Sequence, residues 1–282
     1  MTSSNRSALQ LFVDRLHRRS PLESDEAAAL LGLPGAPAQV QANRDFVQMG
    51  EETDDACLVV EGLVGRFGQT KNGARQITAM HIPGDMADLH SVVVSKAGSA
   101  LQALSTTTIL RIPHRAIRAI AYEHPAIAEA LWRECVVDGA ILSQWVVNVG
   151  RRDAQARTAH LFCEMALRYE EIGRAGALSF DFPATQTQLA DALGLTAVHV
   201  NRTLKTLREA DLVRVERHTV QIADWPALVE IGDFDPTYLQ LASATSSHGR
   251  SSSRPRNAAR LRKRRWTSAS SSPGKKPPAG ST

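Results

Sequence analysis

A chain of 282 residues has room for two ordinary domains or one large one, and 43% hydrophobic against 22% charged residues is the balance of a soluble globular protein. No apolar run approaches the ~20 residues needed to span a bilayer, and the N-terminus, MTSSNRSALQLFVDRLHRRS, lacks an apolar core with a small-residue cleavage site, so a cytoplasmic protein away from the membrane is expected. The formal charge of +4 is unevenly spread: ten Lys/Arg and no acid follow Ser243, leaving 23 Lys/Arg against 29 Asp/Glu, a net of −6, in the first 242 residues.

Residues 1–20 read as an N-terminal arm, and short helices are expected over residues 8–32, one of them capped by Ser24 with Asp25 and Glu26 in its first turn. From Ala38 to Pro113 the pattern changes to short strands. Gly62 separates two apolar runs, Asn72-Gly73 is a strong hairpin turn, and Pro83-Gly84 and Ala97-Gly98-Ser99 mark further turns. Residues 21–115 are therefore expected to form an antiparallel β-roll. Helical sequence returns at residues 114–149, where Ile127, Leu131, Cys135, Ile141, Leu142, Trp145 and Val149 recur mostly at spacings of three or four. A helix of roughly 25 residues cannot bury such a stripe against a small roll alone, so residues 116–150 read as a dimerisation helix, with packing inside one chain as the alternative. Gly150 is expected to end it, and Asp153 to cap the next helix over Ala154–Tyr169.

The most informative stretch begins at Thr185: TQTQLADALGLTAVHVNRTLKTLREADLVRV. Thr185 and Gln188 form a capping box for a helix over Gln186–Leu193, Gly194 turns the chain, and Thr196 caps a second helix with Val200, Leu204 and Leu207 on its inner face. Leu212–Ile222, centred on Glu216-Arg217-His218, reads as a two-stranded wing. Residues 151–240 are thus expected to be a winged helix-turn-helix domain. The second helix, residues 197–210, turns Ala197, Val198, Asn201, Arg202, Lys205 and Arg208 outward. Arg202 can read guanine through two hydrogen bonds, Asn201 can pair with adenine or a phosphate, and Val198 suits a thymine methyl. Thr185, Thr187, Thr196, His199, Lys205, Arg217 and His218 complete the expected contacts to double-stranded DNA, several of them to phosphates. A protein-docking winged helix is the competing reading, from a different functional class.

The fold class expected is α+β: a roll, a long helix and a C-terminal winged helix-turn-helix. This order of parts resembles the Crp/Fnr family of bacterial transcription regulators over about residues 20–240. The residues that carry the resemblance are Gly50-Glu51, Val60-Glu61-Gly62, Pro83-Gly84-Asp85 and the stretch from Thr185 to Val213. The resemblance implies a homodimer on a palindromic operator that adjusts RNA polymerase activity. It also implies a cyclic-nucleotide-binding-like roll, whose effector pocket falls on Gly84, Asp88, Leu89, Ser99, Ala100, Leu142 and Ser143. In nucleotide-binding members a Glu holds the ribose and an Arg ten residues later neutralises the cyclic phosphate. Here those positions are Asp88 and Gly98, and Leu142 replaces one of two polar contacts to the base. Burying a phosphate without its charged partner is unfavourable, so the effector is expected not to be a cyclic nucleotide. A cyclic-nucleotide response through an altered cassette is the alternative. Val198 stands where members commonly carry Glu, whereas Arg202 is kept.

The three cysteines, Cys57, Cys135 and Cys163, are far apart, and none precedes the roll. No metal site or iron–sulfur cluster is expected from them. His81, His90 and His114 could each offer a haem ligand, although a histidine in a roll is more often a hydrogen-bonded structural residue. No cofactor is expected, and no catalytic motif points to an enzyme. Residues 243–282, rich in Ser, Pro, Arg and Lys, are expected to be a disordered basic tail. Its RLRKRR run, residues 260–265, would add salt-sensitive attraction to phosphates; an inert solubilising extension is the other reading. Deleting residues 245–282 is expected to weaken DNA binding and flatten its salt dependence, and an unchanged slope in binding titrations across salt concentrations would refute a role in DNA attraction.

Overall fold

The computed structural model describes residues 3–176 and 178–241; the expected basic tail lies outside the described residues. Helix α1 (Ser3–Arg19) runs for 17 residues, where shorter helices were expected, because Leu9, Phe12, Val13 and Leu16 recur on one face and are all buried. Helix α2 (Ser24–Leu31) follows. Its cap is Glu23 and not Ser24: the Glu26 carboxylate accepts from the Glu23 N–H at 2.7 Å, completing a reciprocal capping box that leaves Ser24 inside the first turn.

Seven strands form the roll: β1 (Ala36–Val40), β2 (Arg44–Val47), β3 (Asp55–Glu61), β4 (Val64–Gln69), β5 (Arg75–His81), β6 (Ala100–Ala103) and β7 (Thr107–Pro113). They pair antiparallel in two sheets, β1-β7-β3 and β2-β6-β4-β5, with Val47, Cys57, Val59, Leu101 and Ile109 buried between them. Asn72-Gly73 turns β4 into β5, with Gly73 at φ 86°. Gly62 has a stronger reason to be glycine: at φ 93°, a Cβ there would stand 2.5 Å from the Thr107 hydroxyl oxygen. A single 3-10 turn, Leu89–Val92, interrupts the long connection from β5 to β6.

After α3 (His114–Glu123), helix α4 (Pro125–Arg151) runs for 27 residues, roughly 40 Å at 1.5 Å per residue. Its first turns bury Ile127, Ala130 and Leu131 with α1, and its later turns bury Val137, Ile141 and Trp145 against the C-terminal half. One helix therefore contributes to two cores. Gly150 does not end it: its φ is not positive, and the helix continues to Arg151, with Arg152 as the cap. The Asp153 side chain accepts from the Ala156 N–H and starts α5 (Ala154–Glu171), whose Leu161, Phe162, Cys163 and Met165 are buried. The remainder comprises β8 (Ala175–Gly176), β9 (Ser179–Asp181), α6 (Gln186–Leu193), α7 (Ala197–Glu209), β10 (Val213–Glu216), β11 (Thr219–Ile222) and α8 (Trp225–Gly232). Its sheet has the order β10-β11-β9-β8, and a 3-10 turn at Pro236–Leu239 closes the described chain.

A buried ionic network ties these parts together. Asp85, beyond the Pro83-Gly84 turn, ion-pairs with Arg15 of α1 and with Arg168 of α5, the latter at 2.6 Å. Arg168 also holds Glu164 at 3.1 Å and donates to the Met80 carbonyl. Glu164, fully buried, accepts from the Trp145 indole of α4 at 3.0 Å and from the Tyr238 hydroxyl at 2.9 Å. Burial pushes the Asp85 carboxyl up, but Arg15 and Arg168 outweigh it and hold the group below the usual carboxylate range. Asp85→Ala strands two buried guanidinium groups. It is expected to cost about 3–5 kcal/mol in urea unfolding; a loss below 1 kcal/mol would show the network to be dispensable.

Candidate nucleic-acid interface and effector cavity

The local chemistry of residues 185–196 fixes the helix pair. Thr185 caps α6 reciprocally with Gln188, the αL conformation of Gly194 (φ 61°) turns the chain, and the Thr196 hydroxyl accepts from the His199 N–H. Leu189, Ala190 and Leu193 of α6 and Val200 and Leu207 of α7 are buried in one core. Thr203 is buried as well, and Leu204 is only half-buried, so the inner face of α7 is rotated slightly from the apolar spacing alone.

Every residue expected to meet DNA is exposed: Thr185, Thr187, Thr196, Ala197, Val198, His199, Asn201, Arg202, Lys205, Arg217 and His218. Thr185, Asn201, Lys205, Arg208, Arg217 and His218 line one open cleft between α6, α7 and the wing. Arg217 occupies the wing turn at φ 55°. Val198 is 79% exposed and presents a methyl surface on the outer side of α7. Gln186 also lines the cleft and accepts from the Asn201 amide at 3.3 Å. Sequence reading passed over it, although the first position of a capped helix is a predictable place for a polar side chain near phosphates. Lys205 stands 3.7 Å from Glu209, an exposed pair that phosphate can easily displace.

The helix pair is docked onto the roll. The Gln188 side-chain amide donates to the Leu104 carbonyl and to the Asn43 side chain, each at 2.9 Å, and Gln76 of β5 donates to the Ala192 carbonyl at 3.0 Å. Arg157 of α5 donates to the Leu193 carbonyl at 2.9 Å, satisfying the C-terminal end of α6.

A cavity of about 180 Å³ lies between α1, β5 and α4. Arg15, Arg66, His81, Asp85, Asp138 and Arg168 supply much of its polar wall. Arg66 makes a bidentate pair with Asp138 at 2.8 and 3.0 Å, which lowers the Asp138 pKa against the opposing effect of burial. Burial, helped by Arg66, pushes His81 down to about 3, so its imidazole is neutral. Of the expected effector residues, Leu89 lines this cavity. The other six stand elsewhere. Gly84 (φ 88°) lets α1 approach, since a Cβ would lie 3.0 Å from that of Leu11. Ser99 is half-buried, Ala100 is buried in β6, and Leu142 and Ser143 lie on the outer face of α4. Among the candidate haem-ligating histidines, His114 contacts the Ser91 hydroxyl at 2.8 Å, His81 is buried, and His90 sits exposed at the cavity rim. Among the described residues, no three His, Cys, Asp or Glu side chains are grouped to hold a metal.

Asp88 turns inward and accepts from the Cys57 N–H at 2.7 Å. Burial raises its pKa to about 6, partly offset by that hydrogen bond. Its unfolded value is near 3.9, so the folded state binds more protons between about pH 4 and pH 6, and stability falls as pH rises through that window. Asp88→Asn keeps the acceptor for Cys57. It is expected to remove this part of the pH dependence and to gain roughly 1–3 kcal/mol at pH 7. Chemical denaturation of both proteins from pH 4 to 7.5 checks it, and a constant difference across that range would contradict the assignment.

The comparisons with known proteins match both halves. A cyclic nucleotide-binding domain model matches residues 37–124, and a Crp-like helix-turn-helix domain model matches residues 156–231. The transcriptional regulatory protein btr of Bordetella pertussis is 26% identical over 241 residues, covering 77% of this chain and 98% of that protein. The anaerobic regulatory protein of Haemophilus influenzae is 21% identical over 202 residues, covering 72% of this chain and 78% of its own length. Among solved structures, FixK2 from Bradyrhizobium japonicum superposes with a TM-score of 0.62 at 20% identity, covering 71% of this chain and 98% of that one. With both domain matches in the order roll, long helix, winged helix-turn-helix, the chain belongs to the Crp/Fnr family of DNA-binding transcription regulators.

Proposed function

We propose that the protein acts in the cytoplasm as a non-enzymatic homodimer, reading a palindromic operator with α7 in the major groove and modulating RNA polymerase there. The observation that carries this reading is the exposed face of α7 beside the wing. Arg202, Asn201 and Val198, all exposed, are read as the base contacts, and Lys205, Arg208, Arg217 and His218, which line the cleft, as the phosphate contacts. With a net charge of −6 over residues 1–242, basic surface in that part has to be local, as this cluster is. Among the described residues, no helix is long and apolar enough to cross a membrane.

The dimer is supported by the outer face of α4. Trp132, Val136 and Val146 are 69%, 61% and 61% exposed, and Gly139 and Ser143 fall between them at spacings of three and four. Most of the stripe expected in sequence (Ile127, Leu131, Ile141 and Trp145) packs inside the chain, and this second, exposed apolar stripe is the one that fits a second copy of the helix. The effector is read as something other than a cyclic nucleotide. Gly98 offers no cation for a cyclic phosphate, and the cavity of about 180 Å³ is smaller than the ~300 Å³ at which pockets for drug-sized ligands begin.

Footprinting on genomic fragments with the wild-type protein and Arg202→Ala is the direct test. A protected palindrome is expected, with affinity reduced by about 1–3 kcal/mol in the variant and specificity relaxed at one base pair. Equal affinity would favour the protein-docking reading. Val146→Asp places a charge on the α4 stripe and is expected to give a monomer in sedimentation velocity with at least tenfold weaker operator binding; an unchanged dimer would reject α4 as the interface.

A further inference from the structure

The cavity between α1, β5 and α4 contains donors that no acceptor among the described residues satisfies. Nε and Nη2 of Arg15, and Nε of Arg19, are buried donors without a partner; Nε2 of His81, which donates or accepts according to the tautomer, is buried without one as well. All three residues line the cavity, with Arg15 6% and His81 5% exposed. An arginine has donors only, so it cannot relieve this by changing tautomer. A buried unsatisfied donor costs about 1–3 kcal/mol, and more when charged, which makes an oxyanion the natural complement. The other two arginines of the wall are already engaged: Arg66 by Asp138, and Arg168 by Asp85 and Glu164. Arg19 spends one nitrogen on Glu134 at 2.6 Å, and Arg15 is 4.0 Å from the same carboxylate. Asp85, Glu134 and Asp138 share the lining with these arginines, and Glu164 and Glu171 engage Arg168 and Arg19 from behind it, so the demand for an anion comes from the unpartnered nitrogens of Arg15 and Arg19 and not from net charge. Its volume of about 180 Å³ compares with ~30 Å³ for a water molecule in the liquid, enough for an ion of a few heavy atoms.

We infer that this cavity binds a small oxyanion, a phosphate or a short carboxylate, through Arg15 and Arg19 with the His81 ring at its edge. The inference rests on the reading of the roll and α4 as a sensor, and it supplies the chemical class of the effector. It also gives the ion a route to the DNA-binding half. Arg19 reaches Glu171 at the end of α5 at 3.5 Å, Arg18 donates to the Glu171 carbonyl, and Arg15 shares Asp85 with Arg168. An anion that takes donors from Arg15 and Arg19 competes with the acids through which α1 holds α5 and α4.

The test is calorimetric titration of the full-length chain, without DNA, with sodium phosphate and separately with sodium malonate, each against sodium chloride at equal ionic strength. Saturable binding of one ion per chain is expected for phosphate, malonate or both, and the arm that binds identifies the class. Arg15→Gln is expected to weaken binding at least tenfold. Glu134→Gln, which removes a competing carboxylate and retains the size of the side chain, is expected to strengthen it at least threefold, and it decides the matter if Arg15→Gln does not fold. Heats no different from the chloride control for both ions, or an affinity unchanged in both variants, would overturn the inference. Because no DNA is present, that failure leaves the reading of α7 intact, and the Arg202 measurement decides that reading separately.

Discussion

The fold depends on one carboxylate. Asp85 sits in the turn that leaves β5, is almost fully buried, and compensates guanidinium groups from the first helix and from the core helix of the DNA-binding half. Removing an ion from water costs several kcal/mol, so such a group persists only where partners converge on it. Here the convergence sets geometry: Arg168 can reach Asp85, Glu164 and the Met80 carbonyl together only when α5 lies against the roll. Trp145, Phe162 and Met165 belong to the large apolar cluster packed around this site, but apolar contacts tolerate small slips. The ionic cluster does not, and it selects one placement.

Around that fixed point the molecule separates its two kinds of polar surface. At α7 and the wing, cations stand exposed with few partners, which keeps their binding reversible and sensitive to salt. Beneath α1, the arginines are buried and mostly paired, so any ion that enters must match their geometry. Helix α4 contributes to the cores on both sides, and a change at one end has a rigid element along which to travel.

The helix-turn-helix was legible in sequence because its determinants are local. Thr185 with Gln188, Gly194 and Thr196 act within four residues of themselves, and caps and αL turns leave short, specific patterns. The roll was legible through its turns, Asn72-Gly73 above all. The cavity was not. Pro83-Gly84-Asp85 reads as a turn, and nothing nearby says that Asp85 meets Arg168 83 residues later. Asp88 stood at the family's ribose-binding position, yet it turns to the Cys57 N–H because β3 passes directly behind it. Gly150 read as a helix end because glycine usually serves that role; with no αL turn imposed on it, the long helix runs on one residue further.

Gln188 performs two tasks with one side chain. Its carbonyl oxygen accepts from the Thr185 N–H to complete the cap of α6, while its amide nitrogen fastens α6 to the roll through Leu104 and Asn43. Loss of the roll contact would leave the helix cap whole, because the bond to the Thr185 N–H uses the carbonyl oxygen alone. Each such hydrogen bond is worth a net ~0.5–1.5 kcal/mol, a small part of a seam that Gln76 and the apolar core shared by Phe67, Ile77, Leu104 and Leu189 also hold. The cap of α6 is thus independent of the contact that fastens it, so the secondary structure of the first helix does not rely on the roll.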